Sequence, residues 1–202
     1  MYKSFNIDVA KVIISWVIFQ VYLMIHTVSR GSYGQITPGG NLLPYRTNGL
    51  KSYIITIILY LLYFRSSYIA DNWLSIFLIA NVIGYTLALF AYIKARVNPT
   101  CKEDVKYSGY KLYDFFMGIE LNPRIYDLDF KLFFNGRPGI IGWSLINLSF
   151  AYSQYSYYGS VSNSMILVNI LQNIYIIDFF VHEEWYLKTI DIAHDHFGFM
   201  LA

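Results

Sequence analysis

Charged positions are absent from long blocks of this chain and crowd into the segments between them. From Val9 to Val28 the only charge is Lys11, near the start, where a lysine can snorkel to an interface. No small-residue cleavage pattern follows, so this block reads as a retained anchor rather than a cleaved signal. Ser52 to Ala70 is a second block, interrupted by Arg65, with its apolar heart ending at Phe64. Trp73 to Ile93 is a third, closed by Lys94 and Arg96. Pro138 to Ile177 carries no charge at all and is long enough for two spans, with a turn at Tyr157 to Ser162 where Tyr, Gly and Ser cluster. A helix needs about 20 mainly apolar residues to cross the hydrocarbon layer, because its backbone polar groups must be satisfied internally. The pattern predicts an all-α fold: a polytopic membrane helical bundle of about five transmembrane helices, near 9–28, 52–70, 73–93, 139–157 and 161–181. These form a single membrane domain over 1–202 with a loop over 94–137.

Basic residues orient the bundle. With five spans, one side receives 29–51, 94–137 and 182–202, carrying Arg30, Arg46, Lys51, Lys94, Arg96, Lys102, Lys106, Lys111, Arg124, Lys131, Arg137 and Lys188. The other side receives Lys3, Lys11 and Arg65. The 94–137 loop and the C-terminus are therefore expected in the cytoplasm. Composition agrees with lipid as the main solvent: 56% of the 202 residues are hydrophobic and 14% charged, against about 45–50% and 25% in soluble domains. One cysteine, Cys101, excludes a disulfide framework and a cysteine-built zinc site. A net charge of +2, widely dispersed, gives no footing for nucleic acid.

The 94–137 loop is rich in Tyr, Phe and Leu, unlike a flexible linker, and a loop of that length is functional or folded against something. Three segments stand out: Gly109 to Arg124, Asp129 to Gly139, and Trp185 to Gly198. The first two set Glu120, Asn122, Arg124, Asp129, Lys131 and Arg137 among aromatics beside a span. Such charges are costly unless paired. They form either a cytoplasmic collar of salt bridges with Arg137 at the lipid headgroups, or a pocket whose cations meet phosphate. The third segment is helical in pattern until Gly198, which places Lys188, Asp191 and Asp195 on one face, and Asp191 with His194. A carboxylate and imidazole held in an apolar setting can act as proton donors; the plainer alternative is an interfacial helix whose acids pair with Lys188. His194 and His196, two apart, would point to different faces of a helix and not chelate one ion, so no metal is expected. No Gly-x-Ser-x-Gly elbow or Gly-x-Gly-x-x-Gly turn is present.

These segments resemble the sterol reductase family, which includes sterol Δ14-reductases, C-24(28) reductases, 7-dehydrocholesterol reductases and the membrane part of the lamin B receptor. Gly109 through Arg124, ending in Leu121-Asn122-Pro123-Arg124, fits the family's first signature at every fixed position. Gly118 to Ile125, Phe130 to Phe150 and Trp185 to Gly198 are most similar to the 7-dehydrocholesterol reductase branch, and the resemblance is clear from about Asn48 onward. It implies a multi-pass protein of the endoplasmic reticulum, or of a host membrane for a viral or parasitic copy. The implied reaction is NADPH-dependent reduction of the C7–C8 double bond of a Δ5,7-sterol, with sterol and membrane lipid as partners. That chemistry asks for a desolvated proton donor facing one alkene carbon. The expected catalytic residues are Asp191 and Asp195, then Glu120, with His194 as orienter. Arg124, Lys131, Arg137 and Lys188 are expected at cofactor phosphates, and Trp185, Tyr186 and Asn122 against the flat sterol. Family members continue past Phe197-Gly198-Phe199 into further spans and a second signature rich in Arg, His, Asn and Tyr. This leaves a fragment, the first half of a split gene whose second polypeptide carries the rest, or a decayed remnant. A non-catalytic sterol-binding membrane protein is the alternative function.

Overall fold

Asn6 opens the first helix by accepting the Asp8 amide on its side-chain oxygen at 3.0 Å, and Thr27 closes it by returning its amide to the Leu23 carbonyl. The computed structural model describes residues 6–64 and 66–202; Lys3 and Arg65, both used for orientation above, lie outside them. In chain order the elements are α1 (Ile7–His26), β1 (Ser32–Ile36), β2 (Leu42–Tyr45), α2 (Gly49–Leu59), α3 (Tyr68–Asp71) and α4 (Trp73–Val97). They continue with α5 (Lys111–Met117), β3 (Arg124–Ile125), β4 (Leu128–Asp129), α6 (Phe130–Phe134), α7 (Gly142–Tyr158), α8 (Asn163–Val181), α9 (Glu183–Tyr186) and α10 (Ile190–Ala193).

The fold is that of a helical membrane protein. Three described helices, α1, α4 and α8, are long and apolar enough to cross a bilayer by length and composition. The second expected span is shorter than anticipated: α2 runs into a π-helical turn, Tyr60–Phe64, and the apolar helix stops at Phe64. The fourth begins late, because Pro138 has no amide to donate and the backbone over Asn135–Ile141 is π-helical until α7 takes over at Gly142. The α7–α8 connection falls at Gly159, whose left-handed φ of +69° caps α7. Two antiparallel strand pairs stand in segments where the reading above placed no strands.

The chain divides into two compact units. The first comprises Met1–Thr27, Asn48–Ala80 and Arg137–Val181. Its core is Tyr53, Ile141, Ile176 and Phe180, with Trp16, Ile57 and Trp143 packed against them. Polar side chains cross-link these apolar helices: Tyr53 and Ser144 donate to Asn173 Oδ1 at 2.6 and 2.9 Å, and Gln20 donates to Thr56 at 3.1 Å. Where there is little hydrophobic difference between helix and lipid, such bonds help choose helix partners.

The second unit comprises Val28–Thr47, Asn81–Gly136 and His182–Ala202. Its core is Ala91, Phe130 and Phe197, flanked by Leu87, Leu128, Phe134 and Leu201. β1 pairs with β2, Ser32 opposite Tyr45, with a register shift between Tyr33 and Ile36. β3 and β4 form a tight hairpin, Arg124 opposite Asp129, turning through Tyr126 at φ +52°. The last residues return along the first signature: the Phe197 amide donates to the Glu120 carbonyl, and those of Phe199 and Met200 donate to Phe115 and Phe116.

Candidate functional site

Most of the sequence-expected residues belong to the second unit. Glu120 is 2% exposed and lies in a loop beyond α5. Its carboxylate receives Lys94 Nζ at 2.9 and 3.0 Å and the Thr100 amide at 2.6 Å, and Thr100 Oγ1 in turn accepts the Arg124 amide. Lys94 thus neutralises Glu120 across 26 residues. A carboxyl so fully occupied serves as an anchor between α4 and this loop.

Arg124 and Asp129 face each other on the β3–β4 hairpin, both buried, with Nε and Oδ2 3.3 Å apart. The guanidinium donates through Nη1 to the Pro44 carbonyl at 2.6 Å and lies over the Tyr45 ring, 4.4 Å from its centroid. Asp129 Oδ1 accepts the Leu132 amide and so caps α6. Burial drives the Asp129 carboxyl upward, with Arg124, the Leu132 amide and Lys131 opposing, and burial likewise pushes the Tyr45 phenol up. Lys131, two residues on, sends its ammonium to the carbonyls of Asp191, Ile192 and Asp195 at 2.6, 2.8 and 2.7 Å.

Trp185 to Gly198 is not the continuous helix expected. It holds two single turns, α9 and α10, broken at Leu187–Thr189, because Thr189 adopts an extended ψ of 162° and donates its hydroxyl to the Tyr186 carbonyl. The Lys188, Asp191 and Asp195 face therefore does not form as a helical stripe. Lys188, Asp191 and His194 are exposed and Asp195 is partly buried, with His194 Nδ1 3.4 Å from Asp195 Oδ1. Trp185 is exposed. Tyr186 is buried, accepts the Asn135 side-chain amide at 2.5 Å, and has its phenol pushed to about 12 by burial. Asn122 is buried, and its Oδ1 has no hydrogen-bond partner among the described residues.

Arg137 belongs to the first unit. It is wholly buried: Nη2 donates to Asn48 Oδ1 at 3.0 Å and the guanidinium sits 5.7 Å from the Phe180 ring centroid. Asn48 in turn donates to the Met24 and Thr27 carbonyls at the end of α1, so the arginine is held by the helix framework.

Four residues that sequence reasoning missed support this site. Lys94 was read as the charge that closes a span and helps orient the bundle, not as a partner of Glu120. Tyr45 carries Arg124, and Asp104 ties the 37–41 turn by accepting from Thr37, Gly39 and Asn41 at 2.6, 2.7 and 3.0 Å. His196 is partly buried, and burial lowers its imidazole below the usual range despite a hydrogen bond with the Asp104 backbone. Nothing local in the sequence signals these partners. Among the described residues no group of three or more His, Cys, Asp and Glu is placed to hold a metal ion.

The cations give a direct test of fit to a dinucleotide phosphate. Arg124, Lys131 and Arg137 are buried and engaged with carbonyls, a carboxylate, an amide oxygen or aromatic faces of the chain itself. Arg124 Nη2 has no hydrogen-bond partner among the described residues, and Lys188 is the exposed member of the four.

Residues 2–202 match the family model described as "Ergosterol biosynthesis ERG4/ERG24 family". A protein of Acanthamoeba polyphaga mimivirus named "Probable 7-dehydrocholesterol reductase" is 50% identical, covering 98% of this chain and 48% of its own length. The 7-dehydrocholesterol reductase of Danio rerio is 48% identical over 98% of this chain and 45% of its own. A Delta(14)-sterol reductase of Dictyostelium discoideum is 37% identical over 96% of this chain and 43% of its own. The chain spans under half the length of these relatives.

Proposed function

The chain belongs to the ergosterol biosynthesis ERG4/ERG24 family of sterol reductases, and from that membership we propose that it is the N-terminal part of a Δ7-sterol reductase. The complete enzyme reduces the C7–C8 double bond of a Δ5,7-sterol such as 7-dehydrocholesterol, with NADPH as reductant. The observation that carries this reading is the identity gradient: 50% and 48% to proteins named for 7-dehydrocholesterol, against 37% to one named for the Δ14 bond.

Saturating the alkene adds a proton to one carbon and a hydride equivalent to the other. We place this chain on the proton side. Asp191 and Asp195 are the donors and His194, beside Asp195, is the orienter. Glu120, expected as a further donor, serves instead as a paired anchor, given its contacts with Lys94 and Thr100. Trp185, Tyr186 and Asn122 supply aromatic and amide surface toward the sterol. No residue of this chain is assigned to the nicotinamide, whose seat lies in the C-terminal half of the enzyme. The positive-charge bias supports a cytoplasmic 94–137 loop in an endoplasmic-reticulum or host membrane.

The test is expression in cells lacking Δ7 reduction, alone and with the C-terminal half of the Danio rerio reductase, followed by sterol mass spectrometry. Conversion of 7-dehydrocholesterol in the co-expression arm is the expected result. No conversion in either arm, with both polypeptides present in the membrane, overturns the reading. If a photoreactive sterol still crosslinks in that case, a non-catalytic sterol-binding protein replaces it.

A further inference from the structure

Lys131 lies in the single turn of α6 and is 2% exposed. An ammonium carries three protons and no acceptor. Here three short contacts, all to backbone carbonyls between Asp191 and Asp195, use that whole capacity. Those carbonyls lie in and just beyond α10, where a helix end leaves carbonyl groups without intrahelical partners. A buried ammonium is costly unless it is fully hydrogen-bonded, and Lys131 meets that condition through one segment alone. The charged groups acting on it are Asp129 at the N-cap of its own helix and Asp195 and Asp191 on the gripped turn. Burial outweighs them and brings the ammonium down to about 8.

We propose that Lys131 is a positioning residue: by gripping three carbonyls of the 191–195 turn it fixes the backbone that carries Asp191, His194 and Asp195, and it is not a ligand for a dinucleotide phosphate. The inference rests on the proton-side reading of that turn given above. Without the clamp, a four-residue helix following an extended Thr189 has few bonds to hold it: Ala193 N–H to Thr189, and the His194 and Asp195 amides to Ile190. A small misplacement of a proton donor is enough to lower turnover heavily.

Two measurements test it. Amide hydrogen exchange on the chain in lipid nanodiscs compares wild type with Lys131→Met and Lys131→Arg. The Ala193, His194 and Asp195 amides are expected to exchange about tenfold faster or more in Lys131→Met, while α8 amides keep their rates and Lys131→Arg recovers part of the protection. Unchanged exchange at 193–195 overturns the clamp, whatever the enzyme does. In the active two-part assembly, Lys131→Met is expected to lower kcat on the order of a hundredfold with the KM values for sterol and NADPH nearly unchanged, and Lys131→Arg to restore part of kcat. A raised KM for NADPH at unchanged kcat overturns the proposal in favour of a phosphate ligand. Unaltered kcat and KM overturn the positioning role even where exchange has risen. A wild-type assembly with no turnover fails the Δ7-reductase reading, and the exchange rates still decide the clamp. If Lys131→Met does not reach the membrane, Lys131→Arg carries both measurements.

Discussion

Gly118 and Gly198 meet backbone to backbone: a Cβ on Gly198 would lie 2.2 Å from the Gly118 nitrogen, and one on Gly118 would lie 2.4 Å from the Phe197 carbonyl carbon. Gly118 also has a φ of +92° and a ψ of 153°, a conformation open almost only to glycine. This contact locks the first signature to the Trp185–Gly198 segment and lets the Phe197 amide reach the Glu120 carbonyl. Gly198→Ala and Gly118→Ala are each expected to cost about 1–3 kcal/mol or more, seen as a lower melting temperature in detergent. A melting temperature equal to wild type in both variants would refute the close approach.

Glu120 provides a contrast between anchor and acid. Glu120→Gln leaves the nearly buried Lys94 ammonium without its counter-charge, which costs about 3–5 kcal/mol when a buried pair loses one partner. Lys94→Met on top of Glu120→Gln is expected to recover part of that stability. A pure proton donor would behave otherwise, losing turnover at unchanged stability, so a thermal melt of the single and double variants separates the two.

His196 makes stability depend on pH with a definite sign. Burial lowers its folded pKa below the unfolded value of about 6.5, so between the two the unfolded chain binds more protons. Its contribution is fully present above about 6.5 and is lost as pH falls through the lower folded value. Melting temperatures measured from pH 7.5 down to 5 should fall more steeply for wild type than for His196→Gln. Parallel curves would count against a neutral, partly buried imidazole.

Gly49 tests the buried arginine of the first unit. A Cβ there would lie 2.0 Å from Arg137 Nη1 and 2.3 Å from Phe180 Cδ1. Alanine is one of the best helix formers, so at an open position of α2 Gly49→Ala would stabilise the helix. Here it is expected to destabilise by about 1–3 kcal/mol through overpacking. A stabilised variant in a thermal melt would show that Arg137 does not pack as described.

What the sequence determined by itself was whatever depends on the local run of side chains. The blocks ending near His26, Val97 and Val181 had to become helices, because a long uncharged backbone in lipid can satisfy its polar groups only internally. Gly159 announced the turn between α7 and α8, and the motifs from Gly109 to Gly198 announced the sterol reductase family. Tertiary structure decided where the charges went. Lys94 finds Glu120 across 26 residues, Arg137 finds Asn48 across 89, and Lys131 finds Asp191, Ile192 and Asp195 across 60, 61 and 64. A cation in an apolar setting needs a full set of partners, and a one-dimensional pattern records the need without saying which distant carbonyl or carboxylate meets it. Arg124, Lys131 and Arg137 lie buried against distant parts of the chain, and the helix expected over Trp185–Gly198 yields to a turn held by Lys131.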